Sequence, residues 1–289
     1  MEHGFGAYGL TVPGPPVGAE WWNEAPDGWL PWRTEWQPSG AESWPDGPGV
    51  DGRRVQFVGP DRAFLSMKPF GFLECDRLAG TTTFFVSECP GEHGLIHPYF
   101  GPSAVVHAWW QGWEAFHAGG VVVGDRVWAL LGDREFGKSS ALAWFHANGW
   151  AVFADDLIVV AGGSVLAGPR CLDLREGAAR RFGAGEDVGV IGARRRWRVR
   201  LPPVPPELPL AGWVVLSWSG GEPRVRKAAA DERLRALTRS RALLVPRDDS
   251  LAWLDLASAP MFVVERPRDW SVMDRAMSEL AATLHRAAC

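Results

Sequence analysis

Nine consecutive residues carry the clearest chemical signal in the chain: Gly132-Asp133-Arg134-Glu135-Phe136-Gly137-Lys138-Ser139-Ser140. They fit G-x-x-x-x-G-K-[ST], the pattern of a phosphate-binding loop. Glycines let the backbone turn sharply and bring its N–H groups against phosphate oxygens. A helix opening at the end of the loop adds the positive end of its dipole. Lys138 can reach the β- and γ-phosphates of a nucleotide, and the Ser139 hydroxyl can join a Mg²⁺ shell. The pattern is short, so its context decides. The apolar run Val127–Leu131 precedes it, and an apparent helix, Ser140–Asn148, follows. The loop is poorer in glycine than many, with Glu135 and Phe136 where small residues are common. A carboxylate beside phosphates repels them unless it points away or meets Mg²⁺ or Arg134.

The next apolar run carries Asp155-Asp156, one helix and one turn after Lys138, the span of a compact βαβ unit. Adjacent side chains on a strand point to opposite faces. If the strand ends at the pair, the chain can bend and offer both carboxylates to the loop; if it continues, only one reaches. Phosphoryl transfer to a hydroxyl calls for two roles, a base for the acceptor and a carboxylate for the metal. The alternative is one metal-holding Asp beside a capping or turn Asp.

The combination resembles the catalytic domain of HPr kinase/phosphorylase. It is more similar to the HPr-kinase-like proteins found with bacterial ribosomal-peptide biosynthesis genes, including those of lasso peptides. Four segments carry the resemblance: Phe116-His117-Ala118, the loop itself, Gly149-Trp150-Ala151-Val152-Phe153-Ala154-Asp155-Asp156, and Gly168-Pro169-Arg170-Cys171-Leu172-Asp173-Leu174-Arg175. Tyr8-Gly9-Leu10 is a further, weaker point of likeness, and the specific part covers roughly residues 115–220. The resemblance implies an ATP- and Mg²⁺-dependent serine/threonine kinase with a phosphoenolpyruvate-carboxykinase-like P-loop core. It implies Asp155 as the base, Asp156 assisting the metal, with Ser139, or the hydrogen-bond network, His117 beside the Asp pair and Arg175 at the site. The implied acceptor is a peptide or small protein, in particular a lasso-type precursor peptide, and the family's oligomers allow a homo-oligomer here. One departure is that Ser140 stands where these kinases carry an acidic metal ligand. No segment matches the one tied to dephosphorylation. Two rival readings remain: a kinase for a small hydroxylated metabolite, and a nucleotide-binding regulator or peptide-binding partner without transfer.

Nine arginines, Arg170 to Arg200, fall in one stretch with only four acids, Asp173, Glu176, Glu186 and Asp187. Guanidinium forks suit phosphate and carboxylate. One near a γ-phosphate and others on an acidic acceptor is the functional reading; a solvated face is the ordinary one for most of them. The glycines at 183, 185, 189 and 192 suggest a flap over the substrate.

The elements that must position these residues are α/β (α+β) in pattern. A hairpin is expected at Val121–Val123 and Val127–Leu131 around Gly124-Asp125. Strands follow near 151–154, 157–160, 165–167, 171–174, 197–201, 212–218 and 261–265, and helices near 231–242, 250–256 and 272–288. Ser271 and Asp274 read as a capping box for the last helix. Earlier, residues 102–116 read as a helix, 53–87 as a small antiparallel sheet, and 11–52 as loops with short extended pieces. The expected division is a β-rich, Trp-rich region at 1–100 packed on a catalytic domain at 101–289.

Composition sets the limits. The 289 residues are 46% hydrophobic and 22% charged, as in ordinary globular proteins. A net charge of −4 argues against nucleic acid as a partner. No apolar run reaches bilayer length and no secretion signal opens the chain, so no membrane partner and a cytoplasmic location are expected. Cys75, Cys89, Cys171 and Cys289 form no C-x-x-C pair and read as reduced thiols. Of 17 tryptophans, six lie in the first 44 residues. They read either as core packing or as an aromatic ligand surface.

Overall fold

Short runs rich in β-formers build the amino-terminal part of the computed structural model, which describes residues 4–12, 18–38, 55–66, 71–89, 91–192, 194–243, 245 and 250–288. Strands β1 Gly4–Ala7, β2 Leu10–Val12, β3 Asn23–Ala25 and β4 Leu30–Pro31 form one sheet in the order β3-β1-β2-β4. A second sheet has the order β5-β9-β8-β7-β6, from β5 Arg33–Pro38, β6 Val55–Val58, β7 Arg62–Ser66, β8 Gly71–Asp76 and β9 Thr81–Val86. Strands β6 to β9 are the antiparallel set expected over 53–87, and β5 adds to β9 in parallel. Trp44, Cys289 and much of the stretch expected as loop lie outside the described residues.

A short helix, α1 Glu92–Gly94, and a π-helical turn at Leu95–Tyr99 lead into α2 Phe100–Trp110. The helix expected to reach Phe116 stops here. Gly112 takes φ 78°, Trp113 N–H donates to the Ala108 carbonyl at 2.8 Å and Gly112 N–H to that of Trp109 at 3.3 Å. That is a Schellman stop, and glycine takes its left-handed position without a Cβ penalty. Phe116, the last residue of the expected helix, ends strand β10 Glu114–Phe116 instead.

The central sheet has nine strands. The hairpin forms as expected, with β11 Ala118–Val123 and β12 Arg126–Leu131 turning at Gly124-Asp125. Then come α3 Lys138–Ala147, β13 Val152–Ala154, β14 Ile158–Ala161, β15 Ser164–Leu166, β16 Cys171–Leu174, α4 Glu176–Phe182, β17 Glu186–Ile191 and β18 Arg194–Arg200. The chain ends with β19 Glu207–Trp218, β20 Arg224–Lys227, α5 Ala230–Ser240, α6 Ser250–Ser258, β21 Met261–Arg266 and α7 Met273–Ala288. The sheet order is β10-β14-β15-β19-β12-β11-β13, with β21 on β19 and β20 on β21. Strands β16, β18 and β17 form a separate three-stranded sheet.

Strand direction positions the site. β12 runs parallel to β19, and β19 to β21. β11 is antiparallel to both β12 and β13, so those two point the same way. The carboxyl ends of β12, β13, β19 and β21 therefore meet along one edge, together with the start of β11. Open sheets containing parallel strands bind ligands beyond such carboxyl ends.

Alternation along β12 divides the core. Val127, Ala129 and Leu131 face one buried cluster, which includes α2 and the amino-terminal strands. Trp128 and Leu130 face the other, with α3 and α7. Trp21, Trp22 and Trp32 are buried in the first cluster, whereas Trp36 is exposed. The aromatic crowd is thus partly core and partly surface.

Two local expectations change. The glycine-rich stretch after α4 is mostly strand: Gly183 ends the helix at φ 58°, and β17 then pairs with β18. The last helix is not opened by a Ser271–Asp274 box. The Asp269 carboxylate accepts from Ser271 N–H at 2.8 Å, while Asp274 accepts from Trp144 and Arg181. Two salt-bridge and indole partners hold Asp274 away from the helix start.

Candidate functional site

The loop leaves β12 at Gly132 and ends where Gly137, at φ 82°, caps α3. Lys138 Nζ folds back over it, donating to the carbonyls of Gly132 at 2.6 Å and Asp133 at 3.3 Å. Burial pulls the Lys138 pKa below its ordinary value, against the pull of Asp156, Asp155 and Asp133. Phe136 stacks on Trp218 at the end of β19, with ring centroids 6.0 Å apart. Asp133 pairs with Arg239 of α5 at 2.5 Å. Glu135 meets neither Arg134 nor the interior of the loop. It turns out to Arg175 at 3.0 Å and to Arg268 at 4.0 Å, and the Arg175 hydrogen bond lowers its pKa. Arg175 is thus a clasp on the loop. Ser139 and Ser140 stand in the first turn of α3 and line the same cavity.

Strand β13 ends at Ala154, so the chain bends at the Asp pair and both carboxylates reach the sheet edge. Their surroundings differ sharply. Asp155 is 6% exposed, and both its oxygens are engaged. Ser139 Oγ donates to Oδ1 at 3.3 Å, and the Asp173 amide donates to Oδ2 at 3.1 Å. Burial and the neighbouring Asp156 push its pKa up to about 7, against the amide bond. Asp156 has a side chain 58% exposed and φ 65°. Burial of its surroundings acts to raise its pKa, but His97, His117 and Lys138 outweigh that and hold it below the carboxylate range. His117 is placed by topology: it precedes β11, whose first residue pairs with Leu131 at the root of the loop.

Three site residues lay outside the sequence reading of the site. Asp173, on β16, is buried and held by a bidentate Arg198 at 2.7 and 2.9 Å and by Arg196 at 3.1 Å. His97, in the π-helical turn, lies 4.0 Å from Asp156 and 3.9 Å from Asp173. Burial lowers its pKa, opposed by those two carboxylates, so it is neutral near pH 7. Arg266, the last residue of β21, is buried beside Gly137. Asp173 stood in the quoted Gly168–Arg175 segment, which could have drawn attention to it; no sequence signal marks His97 or Arg266.

Two cavities meet at this edge. One, of about 430 Å³, is lined by the loop from Gly137 to Ser140 with Glu135, and by Asp155, Arg175, Trp218 and Arg266. The other, of about 740 Å³, is lined by Tyr8, Tyr99, His117 and Arg239 among others. His97, Arg134, Lys138, Asp156, Arg194 and Arg196 line both. Among the described residues, three non-glycine residues have positive φ: Tyr8, Glu135 and Asp156. All three line these cavities. Such strain costs on the order of 1–3 kcal/mol per residue and clusters at functional sites.

No protein-family model and no curated protein matches the chain. Among solved structures it is similar to the HPr(Ser) kinase/phosphatase from Coxiella burnetii, at 11% identity and a TM-score of 0.31, over 61% of this chain and 99% of that one. So slight a likeness bears no weight on activity.

Most of the arginine-rich stretch is engaged. Arg175, Arg180, Arg181, Arg195, Arg196, Arg198 and Arg200 pair with carboxylates, and Arg170 donates to the Leu201 carbonyl. Arg194 and the Asp173-paired Arg196 stand at the meeting point of the cavities. Among the described residues no cluster of three or more His, Cys, Asp or Glu side chains is arranged around a metal position. Mg²⁺ commonly takes one or two carboxylates and completes its octahedron with water and substrate phosphates. The Ser139 hydroxyl and the Asp155 and Asp156 carboxylates fit that donor set. No helix among the described residues is long and apolar enough to cross a membrane.

Proposed function

We propose that the protein is an ATP-dependent phosphotransferase that delivers the γ-phosphoryl group to a hydroxyl, on a phosphoenolpyruvate-carboxykinase-like P-loop core. The observation that carries this reading is the placement of Asp156 where a loop-side cavity and a second, arginine-rimmed cavity meet. The loop amides and Lys138 hold the oligophosphate in the first cavity. The acceptor enters the second, and its hydroxyl oxygen attacks the γ-phosphorus. The bond to the β-bridging oxygen breaks, ADP leaves, and the hydroxyl proton passes to Asp156. A carboxylate already ionised at neutral pH suits that step, because such transfers depend chiefly on positioning and charge stabilisation. Mg²⁺, held by Ser139 and Asp155, would supply neutralisation of phosphate charge.

This division reverses the one the family resemblance implies, in which Asp155 is the base. The contacts support the reversal: both Asp155 oxygens are engaged, one by the loop serine, and Asp155 borders only the loop-side cavity. His97, 4.0 Å away, and His117 lower the pKa of Asp156 by their charge.

The acceptor we propose is a serine or threonine of a peptide, of the lasso-precursor kind, with a carboxylate near the hydroxyl. Arg194 on the second cavity, beside Arg196 and Arg239, which already pair with Asp173 and Asp133, supports an acidic acceptor. The test is γ-labelled ATP with candidate precursor peptides and a panel of hydroxylated metabolites. Transfer to peptide is expected, with Asp156→Asn abolishing it while Mg²⁺-dependent ATP binding persists. Asp155→Asn is expected to weaken that binding. Label on a metabolite alone removes the peptide. Tight ATP binding without transfer to anything leaves a nucleotide-binding regulator.

A further inference from the structure

Two buried arginines border the site, and they differ in one respect. Arg198 is partnered at all three nitrogens: Asp173 takes it bidentately, and the carbonyls of His93 and His97 take two more of its donors at 2.8 and 2.9 Å. Arg266 is 3% exposed, and its Nε and Nη2 have no hydrogen-bond partner among the described residues. Its guanidinium lies over Trp218, 4.2 Å from the ring centroid, and Phe136 of the loop stacks on the same indole. Burial alone, with no carboxylate opposing it, draws its pKa down to about 10. A desolvated cation without a counter-ion is costly in a folded protein unless an anion completes it.

The position of the guanidinium says which anion. An ideal Cβ on Gly137 would lie 2.6 Å from Arg266 Nη2, so the free donor presses against the turn that caps α3. α3 has ten residues, and its amino-terminal amides favour anions at that turn. The open face beside it belongs to the loop-side cavity. A planar fork with free N–H groups matches phosphate oxygens.

We propose that Arg266 is an oligophosphate anchor, a buried cationic subsite that binds the phosphate chain of the nucleotide from the Gly137 side of the loop. The proposal rests on the nucleotide reading above and adds a residue to it. Trp218 and Phe136 set the plane of the guanidinium, and Gly137 leaves room for it.

The experiment is titration calorimetry of the full chain with ATP and with inorganic tripolyphosphate, alongside thermal melting without ligand. Arg266→Met is expected to weaken both ligands by about tenfold or more, the worth of a charge-assisted hydrogen bond. Arg266→Lys should recover part of the loss. The ligand-free Met variant should melt no lower than the wild type, because it removes an unpaired buried charge. Unchanged affinity for both ligands in Arg266→Met, with binding lost in Lys138→Ala, overturns the anchor and leaves the loop reading standing. Melting several degrees lower in Arg266→Met marks a structural guanidinium and also overturns it. Wild-type protein that binds neither ligand overturns the nucleotide reading and the anchor together.

Discussion

Asp155 and Asp156 are neighbours in sequence and near opposites in chemistry, and a single peptide unit separates the two environments. Burial pushes the Asp155 pKa up to about 7, whereas Lys138 and the charged forms of His97 and His117 draw the Asp156 pKa below its ordinary value. For Asp155 the folded-state pKa is raised, so the folded protein binds more protons than the unfolded chain between the unfolded value of 3.8 and about 7. Its contribution to stability is therefore present at low pH and lost as pH rises through that window. Asp155→Asn removes the loss. The ligand-free variant should gain stability over wild type, by about 2–3 kcal/mol more at pH 8 than at pH 5. Urea denaturation at the two pH values checks this, and a gain independent of pH would mean that Asp155 is ionised throughout. At this scale the loop and the Asp pair were legible because each is contiguous and its chemistry follows from residue type. His97, Asp173 and Arg266 were not, because they come from three distant parts of the chain. A lone histidine or arginine carries no sign of its burial until the fold is known.

At the scale of elements, the site exists because β11 lies antiparallel between β12 and β13, which brings the loop and the Asp pair to one edge. The hairpin at Gly124-Asp125 was readable from its turn. The direction of β19 and β21 was not, since no local pattern says which strands will pair in parallel. The early end of α2 shows another limit, because aromatic spacing continued past Gly112 as if helical while the glycine had already turned the chain. The three-stranded sheet is joined to the segment ahead of α2 through one buried side chain. Arg198 on β18 grips Asp173 on β16 and the carbonyls of His93 and His97 ahead of α2. Its side chain is fully buried. Arg198→Met strands the Asp173 carboxylate with Arg196 alone, and removing one partner of a buried pair costs about 3–5 kcal/mol. Chemical denaturation should show a loss of that size. The turn carrying His97 should also loosen, giving faster amide exchange at 95–99 than in wild type. A loss under about 1 kcal/mol would place the Asp173 charge mainly on Arg196.

For the whole molecule, the question is whether the amino-terminal strands ornament the α/β part or complete it. The contacts favour completion. Tyr8 N–H donates to Ala167 at 2.8 Å, Arg170 N–H to Trp21 at 2.7 Å, and the Asn23 side chain bridges Gly168 and Val204 at 2.9 and 3.0 Å. Tyr8, Trp21, Trp22 and Trp32 are buried in the same cluster as Phe100, Phe153 and Leu157. Four such aromatic side chains bury roughly 150–250 Å² each. At about 25 cal/mol per Å² they correspond to roughly 15–25 kcal/mol of burial. That gross gain is largely offset by the cost of ordering the strands themselves, but a whole domain is stable by only about 5–15 kcal/mol, so laying open the apolar surface they cover is a large perturbation. Residues 39–289 expressed alone should therefore keep secondary structure but lose near-ultraviolet dichroism, bind hydrophobic dye and melt without a cooperative transition. The face of the central sheet that would be laid open carries Phe153, Ala154 and Leu157, next to the Asp pair, so ATP binding should fail with it. A fragment that melts cooperatively and binds ATP would show that the Trp-rich strands are an appendage, and that the second cavity, where Tyr8 stands, is shaped without them.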